Sequence, residues 1–375
     1  MSSIYIHIPF CKQACHYCDF HFSTSLQRKE EMIKALAKEL VLRKKELNEE
    51  VETIYFGGGT PSLLSTVELQ YLIDTVYENY TVIDNPEITL EANPDDLTNE
   101  KIKELAVSPV NRLSIGIQSF FEEDLKIMNR SHNSEQAKKC LEEATRHFDN
   151  ITVDLIYGIP NMSNERWKEN LQTVFDFGIN HISSYALTVE PKTALASFIR
   201  NGKYPDVSEE LALEHFNILV AATEKRGFIN YEVSNFGKPN FFSKHNTSYW
   251  LGKSYLGFGP SAHSFNGKQR SWNVSNNIKY CKALRENIIP NETETLSQSD
   301  VFNETMMIGL RTIWGVDLEQ VENKFGVNFK EKLMENADKF IQKELLELTK
   351  DQKLKTTKKG RFLADGIASD LFLVN

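Results

Sequence analysis

Short runs of β-branched and aromatic residues alternate with longer helical stretches through the first 190 residues of the chain. The runs predicted to be strands are residues 4–8, 53–56, 87–91, 112–117, 152–156 and 181–187. The stretches predicted to be helices are residues 26–47, 67–77, 99–106, 135–148 and 165–177. Such an alternation folds into a parallel sheet with right-handed crossovers. It predicts an incomplete parallel (β/α)6 TIM-like barrel, with an open doubly wound sheet as the alternative.

The alternation stops after Pro191. Residues 228–276 are rich in glycine, serine, asparagine and aromatic residues, which favours loops. We therefore predict a barrel in residues 1–230, a loop-rich cover and linker in residues 231–295, and a small, mainly helical domain in residues 296–375. A short β-wing formed by residues 345–349 and 361–363 would give that last domain a winged-helix arrangement.

Charge and cysteine content narrow the class of protein. The formal net charge of −9 argues against sequence-independent nucleic-acid binding. The N-terminus lacks the basic and apolar regions of a signal peptide, and no apolar run approaches the roughly 20 residues of a membrane span. Five cysteines, three of them clustered, do not suggest a disulfide framework. We expect a cytoplasmic protein, with peripheral membrane contact left open, and structural roles for the isolated Cys140 and Cys281.

Three cysteines, Cys11, Cys15 and Cys18, follow the first predicted strand with the spacing C-x3-C-x2-C. Closely spaced thiolates converge easily on a soft metal. A zinc ion would need a fourth ligand, and the nearby candidates are His7, His16 and His21. An iron–sulfur cluster usually takes four cysteines, so three would leave one iron open to another ligand. The spacing alone supports zinc and an open cluster about equally.

Glycines or polar residues also follow the other predicted strands, at the edge where α/β barrels place their sites. Three consecutive glycines, Gly57 to Gly59, allow close approach to a ligand, although they also suit a tight turn. A carboxylate inside a strand, such as Asp154, is costly unless it is paired. Arg130 suits a carboxylate ligand, or else is a solvated surface residue. Together these features predict a large polar ligand at this edge.

Six motifs in combination make the chain resemble the radical S-adenosylmethionine (SAM) superfamily. They are Tyr5-Ile-His-Ile-Pro-Phe-Cys11-x3-Cys15-x2-Cys18, Phe56-Gly-Gly-Gly-Thr-Pro61, Glu91-Ala-Asn-Pro94, Ser114-Ile-Gly-Ile-Gln118-Ser119, Asn129-Arg130-x-His132 and Asp154-Leu-Ile-Tyr-Gly158. Within the superfamily, the chain resembles the oxygen-independent coproporphyrinogen III oxidase group over essentially its full length.

The resemblance implies a [4Fe–4S] cluster held by Cys11, Cys15 and Cys18, with the amino and carboxylate groups of SAM on the fourth iron. One-electron reduction can then cleave SAM to a 5′-deoxyadenosyl radical. The residues that the resemblance implies as SAM contacts are Tyr5, Gly58, Gly59, Thr60, Glu91, Gln118, Arg130 and Asp154. We expect the glycines to face the methionine amine, Arg130 its carboxylate and Asp154 the ribose hydroxyls.

One departure from the oxidase pattern and one further motif make the resemblance closer to the haem chaperones of this group. The oxidases carry a further cysteine two residues after the third, and this chain has Phe20 there. The motif His245-Asn-x-x-Tyr249-Trp250 matches the chaperone branch, and its histidine is a candidate haem ligand or a residue bonded within the cover. His263 is a further candidate neighbour of porphyrin or SAM, or a loop-packing residue.

The resemblance therefore implies a protein that binds haem and delivers it to acceptor proteins. The alternative is a radical SAM enzyme that acts on coproporphyrinogen III or a related tetrapyrrole, and Phe20 speaks against it. The partners expected are haem and haem-acceptor proteins, with no nucleic acid. A monomer and a dimer that depends on haem or on the cluster are both compatible with the sequence.

Overall fold

A computed structural model describes residues 1–373, and its parallel strands lie side by side in chain order. These strands are β1 (Ser2–Ile8), β2 (Val51–Gly58), β3 (Val82–Ala92), β4 (Arg112–Gln118), β5 (Ile151–Tyr157) and β6 (His181–Ala186). Every neighbouring pair among them is parallel. The order matches the predicted parallel α/β arrangement, in which the carboxyl ends of all strands meet at one edge.

The helices that connect these strands are α1 (Lys29–Leu42), α2 (Thr66–Asn79), α3 (Asn99–Ala106), α4 (Glu122–Met128), α5 (Ser134–His147) and α6 (Asn164–Asp176). The strands alternate between two faces. In β1, Ile4, Ile6 and Ile8 belong to the hydrophobic core, whereas Tyr5 and His7 point to the opposite face. That opposite face carries polar side chains, so the inside of the sheet is available for a polar ligand.

The middle of the chain extends the same sheet at both edges. Its elements are α7 (Ala194–Arg200), α8 (Glu209–Glu224), β7 (Ile229–Glu232), β8 (Asn235–Gly237), α9 (Lys244–Trp250), β9 (Tyr255–Phe258), β10 (His263–Phe265), β11 (Gln269–Asn273), α10 (Asn277–Arg285) and β12 (Asn291–Thr295). The strand order is β12-β11-β10-β9-β1-β2-β3-β4-β5-β6-β8-β7. The register places β9 parallel to β1, with Ser3 opposite Tyr255 and Ile6 opposite Phe258.

Residues 231–295, expected to be a loop-rich cover, thus contribute strands to the sheet. The physical reason is length, because these strands have three to five residues. So short a run shows no clear period of two, and the glycine, serine and asparagine content predicts loops.

The C-terminal elements pack around a second core that includes Phe302, Leu333 and Leu354. They are α11 (Gln298–Arg311), β13 (Val316–Asp317), α12 (Leu318–Phe325), α13 (Val327–Gln342), β14 (Leu346–Leu348), β15 (Lys353–Thr356) and α14 (Ala364–Asp370). The predicted first wing strand is β14. The predicted second strand is wrong, since Arg361–Leu363 is a 3-10 helix and β14 pairs instead with β15. In β15, buried Leu354 and Thr356 alternate with lysines that hide the strand pattern.

Two further expectations concern isolated cysteines and membranes. Cys140 and Cys281 are both buried, which fits the structural roles expected for them. Within residues 1–373, no helix combines the length and the apolar character that crossing a membrane requires.

Candidate functional site

A cavity of about 460 Å³ lies at the carboxyl edge of the parallel strands, within the size range of small-molecule sites. Its wall contains all three clustered cysteines. It also contains seven of the eight predicted SAM contacts, namely Gly58, Gly59, Thr60, Glu91, Gln118, Arg130 and Asp154. The eighth, Tyr5, lies outside the wall. The strand order accounts for this convergence, because residues far apart in sequence share one edge.

The cysteine loop after β1 is fixed by backbone hydrogen bonds at several points. The Cys11 N–H donates to Ser23 O at 3.0 Å, and the His16 N–H donates to Met128 O at 3.0 Å. The Asn129 side chain donates to Ala14 O at 2.8 Å. The three thiols are free and half-buried at the cavity wall. The loop therefore presents three sulfur donors on a supported backbone.

Each of the three nearby histidines has at least one ring nitrogen in a hydrogen bond within the protein. His7 is buried, with hydrogen bonds from one ring nitrogen to His21 O and from the other to the Tyr5 hydroxyl. His16 Nδ1 bonds to Ile127 O at 2.9 Å, and His21 Nε2 bonds to the Asn277 side chain at 2.7 Å. Among the described residues, no three His, Cys, Asp or Glu side chains are grouped as ligands of a single ion. Each thiolate of an iron–sulfur cluster binds its own iron, so three cysteines facing one cavity suit a cluster with an open position.

Arg130 reaches the cysteines from the turn after α4. Asn129 ends α4 in the left-handed conformation (φ 56°), and the chain then directs Arg130 inwards. Its Nη1 donates to Cys15 Sγ at 3.3 Å, and its Nη2 donates to Gly116 O at 2.9 Å and to the Asn93 side chain. The buried Nε has no partner. A guanidinium with a free buried donor beside the thiols suits an incoming carboxylate.

Neighbouring residues leave no room for a side chain at Gly58 and Gly59, which form the glycine edge at the end of β2. Gly58 has φ 104°, and a Cβ there would lie 2.4 Å from the His7 ring. A Cβ on Gly59 would lie 2.6 Å from Phe10 O. Glycine is required at Gly58 by the positive φ and at Gly59 by the close approach of the backbone after β1. Both glycines therefore leave bare backbone facing the cavity.

Glu91, which lies on β3, forms a hydrogen bond with the glycine edge. Its Oε1 accepts a hydrogen bond from the Tyr55 hydroxyl at 2.7 Å, and its Oε2 accepts one from the Gly58 N–H at 3.2 Å. Burial raises the pKa of Glu91 to about 7, with nearby Asp154 adding to the rise. A buried carboxyl group with so high a pKa is stabilised in its ionised form when a cationic ligand group binds beside it. The methionine amine expected at the glycine edge is such a group.

Asp154 and Gln118, on β5 and β4, also line the cavity. The Ser114 hydroxyl lies 3.3 Å from both carboxylate oxygens of Asp154, and burial raises the pKa of Asp154 to about 6. Gln118 has a positive φ of 65°, at a register shift between β4 and β5. Non-glycine residues in this conformation often belong to binding sites, where the surrounding structure maintains the strain.

His245 does not reach the cavity. It is 1% exposed, and both ring nitrogens are occupied: Nδ1 bonds to Thr53 Oγ1 at 2.7 Å and Nε2 to the Tyr249 hydroxyl at 2.8 Å. The structure thus places the candidate haem ligand against Thr53 and Tyr55 on the inner face of β2, with no free nitrogen for iron. His263 lies on β10, where its ring contacts Trp272, and is not in the cavity wall.

The sequence motifs did not single out several side chains that line the cavity. These are Tyr55, Ser183 and Ser243. Tyr55 lies directly before the motif that begins at Phe56, and the alternation of strand faces could have identified it. Asn93 and Asn246 stand inside recognised motifs and also line the cavity, although no role was expected for them. Ser243 precedes α9, in a segment without a strand pattern, so only the tertiary fold brings it here.

Phe20 is the largest departure from a polar wall. Its side chain lines the cavity and is 68% exposed, in the position where the oxidase pattern has a cysteine. Phe22 and Tyr185 are also in the wall. Several aromatic side chains at one cavity form an apolar patch, which is the kind of surface that contacts an apolar partner or ligand.

Comparison with known proteins gives consistent matches. Residues 5–174 match the Radical SAM superfamily, and residues 296–363 match the HemN C-terminal domain. The heme chaperone HemW of Bacillus subtilis is 35% identical over 87% of this chain and 87% of its own length. That of Lactococcus lactis is 35% identical over 99% of this chain and 97% of its own length. The structure of Escherichia coli coproporphyrinogen III oxidase (HemN), a radical SAM enzyme, superposes with a TM-score of 0.85 at 22% identity, covering 99% of this chain and 90% of that one.

Proposed function

Because the chain belongs to the HemW family of haem chaperones, we propose that it binds haem and transfers it to acceptor proteins, on a scaffold that holds a [4Fe–4S] cluster and SAM. The observation that carries this choice over tetrapyrrole oxidation is Phe20. Where the oxidase pattern supplies another thiol, this chain offers an exposed aromatic ring at the cavity wall. Such a ring suits contact with a flat macrocycle.

We propose Cys11, Cys15 and Cys18 as the cluster ligands. Their donor set fits a cluster with one open iron, and the backbone bonds of the loop keep the thiols at the cavity wall. When bound, the cluster supplies an exchangeable coordination position and one-electron chemistry. The chain itself binds SAM, orients it and limits its contact with water.

The proposed SAM contacts follow the charges of the wall. The methionine amine is proposed to bind beside Glu91 and the bare backbone at Gly58, Gly59 and Thr60. These groups lie together, because Glu91 Oε2 accepts the Gly58 N–H. Arg130 takes the carboxylate through its unpartnered donor. Asp154 and Gln118 also line the cavity, and we propose them as the partners of the ribose hydroxyls. Tyr5 lies outside the cavity wall, and its proposed contribution is indirect, through its hydrogen bond to His7.

From the same family membership, we propose that the protein works in the cytoplasm, either as a monomer or as a dimer that forms with haem or with the cluster. We retain residue 296 as the start of the C-terminal domain. The separate core of that domain and the family match beginning there support this boundary.

The proposed function is tested by anaerobic incubation of the cluster-loaded protein with SAM, dithionite and coproporphyrinogen III. We expect no protoporphyrinogen IX, while the E. coli oxidase forms it under the same conditions. The same preparation should bind haem and pass it to an apo-haem protein. Product formed at catalytic yield would contradict the chaperone function and make Phe20 an incidental difference.

Replacing Phe20 with alanine should weaken haem binding about tenfold or more. The physical reason is that covering one exposed phenylalanine is worth about 1.5–3 kcal/mol, and about 1.4 kcal/mol corresponds to a tenfold change in Kd. The measurement is a spectrophotometric haem titration. A matched control is Val107→Ala, since Val107 is 88% exposed at the end of α3, outside the cavity wall. Equal haem affinity of the Phe20 variant and the wild type would remove Phe20 from the haem site.

A further inference from the structure

The helix α9, which carries the His245-Asn-x-x-Tyr249-Trp250 motif, packs on the inner face of the sheet, where His245 contacts Thr53 and Tyr55 of β2. Its histidine is anchored on both sides, by Thr53 of β2 and by the Tyr249 hydroxyl one turn further along the helix. Glu87 of β3 accepts the backbone N–H groups of Lys244 and His245, both at 3.0 Å. A carboxylate at this helix end also interacts favourably with the helix dipole. The imidazole is therefore fixed in position relative to β2 and β3.

The imidazole stacks on Tyr55, which faces the cavity. The two ring centroids are 4.7 Å apart, with an angle of 24° between the planes. The Tyr55 hydroxyl donates to Glu91 Oε1, and Glu91 Oε2 in turn accepts the Gly58 N–H. A continuous set of contacts therefore runs from His245 through Tyr55 to the carboxylate and backbone of the proposed SAM edge.

We propose that His245 is a positioning residue for the SAM edge: its ring sets the position of Tyr55, and Tyr55 holds Glu91 towards the ligand. The motif therefore acts on SAM binding rather than through ligation of haem iron. This inference rests on the proposed SAM site and is independent of whether haem is transferred.

The imidazole has the chemical state that this role needs. Burial lowers the pKa of His245 to about 3, so the ring is neutral at physiological pH. A neutral imidazole has one N–H and one acceptor nitrogen. Both of its partners are hydroxyl groups, which donate or accept equally well, so either tautomer is satisfied. Iron ligation would require one of these hydrogen bonds to break and the buried ring to be uncovered.

The other residues of the motif support the same placement. Asn246, together with Ser243 before the helix, lines the cavity. The Ser243 hydroxyl caps α9 by accepting the Asn246 N–H at 3.2 Å. Tyr249 packs edge-on against Tyr255 of β9, with 4.5 Å between ring centroids. Asn246 therefore contributes to the wall of the proposed SAM pocket, and His245 and Tyr249 support that wall.

The test compares equilibrium SAM affinity with haem affinity in anaerobically reconstituted protein. We expect His245→Leu to weaken SAM binding about tenfold, while the haem affinity and the position of the Soret band stay those of the wild type. His245→Gln, whose amide can bond to Thr53 and Tyr249, should recover part of the SAM affinity. His147→Leu is the control, because His147 lies on the outer face of α5 beside Glu143.

Tyr55→Phe gives a second, milder variant, since it keeps the stacked ring and loses only the hydrogen bond to Glu91. We expect it to weaken SAM binding even if His245→Leu fails to fold. Unchanged SAM affinity in a folded Tyr55→Phe variant would overturn the proposal. A shifted Soret band in His245→Gln, with normal SAM affinity, would overturn it in favour of iron ligation. Failure of haem transfer in the wild type would refute the proposed function and leave this comparison unaffected.

Discussion

Replacing Cys15 with serine is expected to remove the iron–sulfur cluster and, with it, SAM binding. A serine hydroxyl is a poor ligand for cluster iron, and the two remaining thiolates of the loop cannot hold three irons. We expect loss of most protein-bound iron and sulfide and a fall in SAM affinity of about 100-fold or more, equivalent to about 2.7 kcal/mol. Iron and sulfide analysis, visible absorption and equilibrium SAM binding measure these effects.

The chain supplies matched controls for this experiment. Cys140 and Cys281 are buried in the core, away from the cavity wall, so Cys140→Ser and Cys281→Ser should retain the full cluster. Retention of iron by Cys15→Ser would show that the loop does not hold the cluster. Stoichiometric zinc in the wild type, without iron or sulfide, would restore the zinc alternative.

The second large effect is expected at Arg130. Arg130→Ala should weaken SAM binding about 100-fold, since a hydrogen bond between charged groups is worth about 1.5–3 kcal/mol and the unpartnered Nε donor is lost. Arg130→Lys should recover only part of the loss, because an ammonium keeps the charge but lacks the planar fork. Equilibrium binding of SAM to the reconstituted protein measures both.

Two controls separate ligand binding from folding. Arg130 also donates to Gly116 O and to Asn93, so its removal leaves buried acceptors unpaired. Thermal unfolding without SAM reports that structural cost. Arg146→Ala removes an arginine from the outer face of α5 and should change neither quantity strongly. SAM affinity unaltered by Arg130→Ala would show that Arg130 does not bind the carboxylate.

The parallel strands were predictable because each is a compact run of β-branched or aromatic residues followed by a helix. The predicted strand 53–56 lies within β2, and the predicted helix 99–106 coincides with α3. Local sequence was insufficient for α4, which has seven residues and begins with three acidic ones. Local sequence was also insufficient for the strands at the sheet edges, which have only three to five residues and depend on pairing with neighbouring strands.

For the candidate site, too, the sequence predicts some features, whereas others depend on the tertiary structure. Its place at the carboxyl edge follows from the parallel arrangement, so residues after the strands, such as Glu91 and Gln118, could be expected there. The inward direction of Arg130 could not, since it depends on the left-handed turn at Asn129. The burial of His245 behind Tyr55 depends on how α9 docks. Sequence reasoning recognised the motif, but only the tertiary packing shows which way its ring points.

The pairing of β9 with β1 limits how the molecule can be cut. A fragment that ends at residue 230 contains every proposed cluster and SAM ligand, yet it leaves one side of the first strand without hydrogen-bond partners. An exposed strand edge promotes aggregation and local fraying, and the cysteine loop begins directly after that strand. During synthesis on the ribosome, the same edge stays open until residues 255–258 emerge. We therefore expect secure cluster insertion only after residues 255–258 have paired with the first strand, so the cofactor site is not a portable module.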